Sequence, residues 1–166
     1  MKISIHGLMA ITSTLIIGCG GGASGGNETS QATTTQMTSQ ISSNLTTNYA
    51  LQISNVNNAL QACYRQYGRS GNALTCGANA KSAEVLVFTN TVLTNVKSIG
   101  FNRLIDKSAV IDQINQYKLA DISWLNVNTF APFVTMSTSE LAALSPAYKT
   151  QVETYYSNLL LQINSL

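Results

Sequence analysis

Tyr49, Ile53, Val56, Leu60, Cys63 and Tyr67 follow one another at spacings of 4, 3, 4, 3 and 4. A strand with this pattern would scatter the six over both of its faces, whereas an α-helix gathers them on one. The stretch therefore predicts an amphipathic helix whose apolar stripe has to be covered by other elements. Ile41 and Leu45 can extend the stripe backward, and Gly68 with Gly71 fits a helix stop followed by a turn. A chain that commits this much of itself to one helical face is expected to continue in kind.

Most of the remainder does. The run from 79 to 99 contains VLVF and TVL, rich enough in β-branched residues to suggest a strand pair. Val85, Phe88, Val92, Val96 and Ile99 nevertheless keep helical spacing, no Gly or Pro interrupts them, and Lys97 followed by Gly100 resembles a helix end. A third helix is predicted within 102–119, with Leu104, Ile111 and Ile114 inward and Asp106 or Ser108 as start signals. From Ala120 to Thr135 the regularity fails, and Trp124, Phe130 and Phe133 gather around Pro132 in what reads as a long loop. Ser137 to Glu140 matches a capping box that opens a short helix, and Ser145-Pro146 matches the start of a last one. That last helix carries Tyr148, Val152, Tyr155, Leu159, Ile163 and Leu166 on one face. The fold class expected is all-α: a small bundle of four main helices and one short one, spanning residues 45–166.

The N-terminus has a different character. Met1 and Lys2 precede a mostly apolar run from Ile3 to Ile17, too short and too interrupted to span a membrane, and Gly18 precedes Cys19. This is the anatomy of an export signal. Ile16-Ile17-Gly18-Cys19 also resembles the lipobox of bacterial lipoproteins. The resemblance implies removal of residues 1–18 and a lipid anchor, diacylglycerol and palmitate, on Cys19. One acyl chain holds a protein weakly, each buried methylene adding roughly 0.8 kcal/mol, and several make release negligible. Gly20 is not the aspartate that keeps many such lipoproteins in the inner membrane, so the expected location is the cell envelope, at the outer membrane. Gly20 to Gly26 contains only Gly, Ala and Ser, and the Ser, Thr and Gln that follow offer little to bury, so residues 19–44 read as acylated cysteine and tether, ordered only somewhere after Met37. A flexible coil from Gly20 to Gln36 would hold the domain on the order of 20–25 Å from its anchor.

With Cys19 assigned to lipid, Cys63 and Cys76 remain, an even pair in a chain sent to an oxidising compartment, and a disulfide between them is expected. The ring of about 14 residues would stabilise the fold by roughly 3 kcal/mol. A redox role would favour a close C-x-x-C pair, and these cysteines are far apart.

Chemistry is bounded chiefly by composition. Charged residues make up 10% of the chain, and removal of Lys2 with the export signal leaves a net charge of about +1, which implies no nucleic-acid partner. The one histidine, His6, lies in the export signal. The mature chain thus has no imidazole for a catalytic triad or a zinc site, and no metal or other cofactor is implied. The glycine run is the tether and not a phosphate loop. Carboxylate chemistry is what remains for an enzyme. Glu84, Asp106, Asp112, Asp121, Glu140 and Glu153 stand in no catalytic signature and read as solvated or capping residues. Trp124, Phe130 and Phe133 are the candidate partner-binding residues, but they read first as plugs of the open bundle end, and the pairs Tyr64 with Tyr67 and Tyr155 with Tyr156 read the same way.

Two functions follow as expectations. The first is a membrane-anchored, non-enzymatic binding or assembly module with an envelope protein as partner. The second is a carboxylate-dependent cell-wall glycan hydrolase. A deep cleft with two facing acids would favour hydrolysis, and a shallow apolar groove between helices would favour binding.

Overall fold

The computed structural model of the chain describes residues 28–101, 104–126 and 138–166. The export signal, the lipobox with Cys19, the Gly20–Gly26 run and the two aromatic residues Phe130 and Phe133 lie outside the described residues. Four helices make up the described chain: α1 (Glu28–Tyr67), α2 (Gly71–Ile99), α3 (Leu104–Ser123) and α4 (Thr138–Asn164). Among the described residues there is no strand, and the β-branched stretch Val85–Phe88 lies in the middle of α2. Val85 and Phe88 are buried there with Val92 and Val96, so packing of one face outweighs local strand preference.

The helices alternate in direction along the chain. Tyr49 and Ser42 on α1 meet Asp121 and Gln113 on α3, in the same order, so these two run parallel. Asn55 of α1 donates to Glu84 of α2 across the antiparallel hairpin that the short turn enforces. Lys107 of α3 reaches the carbonyl of Asn164 while Tyr156 of α4 reaches Asp121, which makes α3 and α4 antiparallel. Around the bundle each helix packs on two neighbours in the ring α1, α2, α4, α3. Much of the interior between them is aliphatic, with Val56, Leu60, Leu74, Ile114, Val152, Leu159 and Ile163 buried.

Both glycine ends are as expected. Gly68 (φ 62°) and Gly100 (φ 77°) take the left-handed conformation and donate to the carbonyls of Tyr64 and Val96, each at 2.8 Å. The segment after Gly68 departs from expectation. The turn after Gly68 ends at Ser70, and α2 begins at Gly71, two turns ahead of the start expected near residue 79. Those two turns bury Ala73, Leu74 and Ala78 against the core, a gain that outweighs the glycine and asparagine in them. Cys76 is consequently helical. The Cys63–Cys76 disulfide, Cα to Cα 5.8 Å, links the end of α1 to the start of α2 and staples the hairpin at its turn.

Two further boundaries differ. Helix α1 begins at Glu28, inside the expected tether, and Ile41 is only 2% exposed, so the packed domain starts before residue 45. The Ile41–Leu45 pair lies beside Val92 and Val96 of α2, and this contact carries the helix through a Ser- and Thr-rich stretch of modest intrinsic propensity. At the other end, the short helix and the last helix are one: α4 runs through Pro146. Proline leaves the carbonyl of Ala142 without its helical donor, but both residues are exposed and water can serve instead. On α4 the inward tyrosine is Tyr156 and not Tyr155, which is only partly buried, and Leu166 is exposed. Tyr64 and Tyr67 plug nothing, since both are exposed on the last turns of α1.

Candidate functional site

The centre of the bundle is polar. Asp121, on the last turn of α3, is fully buried, as is Lys81 of α2, and their side chains form an ion pair with Nζ to Oδ1 at 2.6 Å. Tyr49 of α1 donates to the same oxygen at 3.0 Å. The other oxygen, Oδ2, accepts from Gln52 of α1 at 3.0 Å and from Tyr156 of α4 at 2.8 Å. Tyr148 of α4 donates to the backbone carbonyl of Asp121 at 2.6 Å. One residue thus ties α3 to the three other helices. The four donors to its carboxylate satisfy the acceptor capacity that burial would otherwise leave costly.

This placement corrects the expectation for Asp121, which is neither solvated nor a cap. The electrostatics follow from burial. Removal from water pushes the Lys81 ammonium below the ordinary lysine range, and the charge and hydrogen bond of Asp121 pull it back up. The phenols of Tyr49, Tyr148 and Tyr156 are pushed well above the ordinary tyrosine range, first by burial and then by the charge of Asp121. The Lys81 nitrogen also lies 5.8 Å from the ring centre of Tyr49 and 5.6 Å from that of Trp124, so two aromatic faces flank the cation.

Trp124 itself is half-buried against the core, 6.1 Å from the Tyr148 ring centre. The tertiary fold places it over the ion pair. It heads the connection from α3 to α4, in which Phe130 and Phe133 lie outside the described residues.

The other acids are scattered. Asp112, Glu140 and Glu153 are exposed, each on its own stretch of helix, and Asp106 falls in the first turn of α3. Glu84 accepts from Asn55 at 3.0 Å at the edge of a shallow groove between α1 and α2. A wider groove, about 350 Å³, lies between the first turns of α2 and α4 and carries one acid, Glu140. Neither of these two grooves is lined by a second carboxylate, and among the described residues no cluster of three His, Cys, Asp or Glu is placed to hold a metal ion.

The α1–α2 groove is different in kind. Leu51 and Val87, each 57% exposed, flank it from the two helices, with Phe88 and Gln52 beneath and Asn48, Asn55 and Thr91 around them. Sequence reasoning missed this feature because Leu51 and Val87 fall off the inward stripes, where an apolar residue has no packing reason to be. That misfit was the available signal.

No protein-family model, curated protein or solved structure matches the chain. No helix among the described residues is long and apolar enough to cross a membrane.

Proposed function

We propose that the protein is an envelope lipoprotein, held at the outer membrane through acylated Cys19, whose helical bundle binds or assembles a protein partner and performs no chemistry. The observation that carries the binding half is the shallow α1–α2 groove with Leu51 and Val87 exposed on its two walls. A hydrolase needs two acids across a cleft. Among the described residues the one deeply buried carboxylate, Asp121, is saturated by four donors and closed off from solvent. The address rests on Ile16-Ile17-Gly18-Cys19, and the Cys63–Cys76 disulfide is consistent with an oxidising compartment.

Cys19→Ser tests the anchor. The variant is expected to lack acyl chains and to leave the membrane fraction, and tight membrane association of an unacylated variant defeats the reading. Complementation of a deletion strain tests the absence of chemistry. Asp112→Asn, Glu140→Gln and Glu153→Gln are each expected to complement fully, and loss of complementation by one of them in a folded, lipidated protein restores the hydrolase.

A further inference from the structure

The α1–α2 groove holds an acceptor that the fold does not use. Gln52 directs Nε2 to Asp121 Oδ2. An ionised carboxylate can only accept, so this contact decides which end of the amide is nitrogen. The remaining atom, Oε1, is buried and has no hydrogen-bond partner. Buried acceptors are rarely left this way, and one on a residue that lines a groove calls for a donor from outside. Glu84 is the one charged residue lining the groove, and its Oε2 is steadied by Asn55. The open space is about 40 Å³, room for one small head group and not for a cofactor. On either side stand the exposed hydrocarbon surfaces of Leu51 and Val87.

Hydrocarbon walls, a carboxylate at the edge, a buried acceptor and space for a single head group match one common side chain. We infer that the groove receives a lysine from the partner protein, its methylenes lying between Leu51 and Val87 and its ammonium donating to Gln52 Oε1 and the Glu84 carboxylate. Lysine combines an apolar stem with a compact, three-donor head, whereas the planar guanidinium of arginine asks for more room. The inference rests on the binding-module reading and names the chemistry of the partner.

The test uses the full mature chain in detergent micelles, titrated with n-butylammonium chloride, a lysine side chain without its backbone, and followed by NMR of the Gln52 and Asn55 side-chain amides. Saturable shifts at both are expected, with no saturable response to n-butanol. Glu84→Gln keeps an amide oxygen for Asn55 and is expected to melt with the wild type while weakening the affinity about three- to fivefold. Leu51→Ala is expected to weaken it as well. Absence of saturation overturns the inference, as does an equal response to butanol, which would mean that a neutral molecule such as water satisfies Oε1. If a partner captured by the wild-type protein is retained undiminished by both variants, the lysine site is wrong while the binding module stands. Failure of the module itself is read from the acid variants.

Discussion

Asp121→Asn separates a buried hub from a surface acid more sharply than any other single change. As a solvated or capping residue Asp121 would tolerate the substitution with a loss of about 1 kcal/mol or less. In the bundle it neutralises Lys81 where neither is exposed, so the substitution strands a cation in the core. The expected loss is about 3–5 kcal/mol, read from urea denaturation. Lys81→Met should cost less, because the carboxylate keeps Tyr49, Gln52 and Tyr156 as donors. A smaller loss for Asp121→Asn than for Lys81→Met would mean that the hydrogen bonds, and not the charge, dominate the centre.

The helix boundaries carry their own energies. Ile41→Ala removes a buried side chain from the part of α1 that reads as tether, and a loss of about 2–4 kcal/mol is expected if that turn belongs to the core. A loss near zero in a thermal or chemical melt would return the boundary to residue 45. Replacing Cys63 and Cys76 together by Ser opens a ring whose closure contributes about 3 kcal/mol by restricting the unfolded chain. Since the disulfide joins the end of α1 to the second turn of α2, hydrogen exchange should quicken first at the start of α2. Uniform quickening over all four helices would show that the hairpin is not the locally stapled unit.

The bundle as a whole should be sensitive to alkali. Tyr49, Tyr148 and Tyr156 have folded pKa values raised above the ordinary 10.0, so they remain protonated in the native state while the unfolded chain ionises. Their contribution to stability is fully present below pH 10 and falls above it, each phenol removing about 1.4 kcal/mol per pH unit. Lys81 acts in the opposite sense. Its lowered pKa makes the unfolded state bind the extra proton, so stability rises with pH between its folded and ordinary values and levels off beyond them. Three groups outweigh one, and above the ordinary lysine pKa nothing opposes them. Denaturation in a narrow alkaline range, with tyrosinate absorbance appearing at the same pH as loss of helix, is the expected result. Gradual ionisation of these phenols in a chain still helical would refute it.

Helix identity was legible along the chain because it depends on local periodicity. The stripe through Val56, Leu60 and Cys63 and the spacing of Val85, Phe88, Val92 and Val96 need no knowledge of partners, and Gly68 and Gly100 end their helices through backbone conformation alone. The disulfide was legible by cysteine arithmetic. Helix ends were less so, because α2 gains Ala73 and Leu74, and α1 gains Ile41, only through burial against another helix. The polar centre was half-written: Lys81 stands four residues before Val85, and Asp121 seven after Ile114, so each occupies an inward position. Inward position on a single helix does not say whether a charge meets an opposite one or turns away to water. That choice belongs to the tertiary structure, because the attraction that offsets burial exists only once Lys81, Asp121, Gln52 and Tyr156, from four different helices, occupy the same few ångströms.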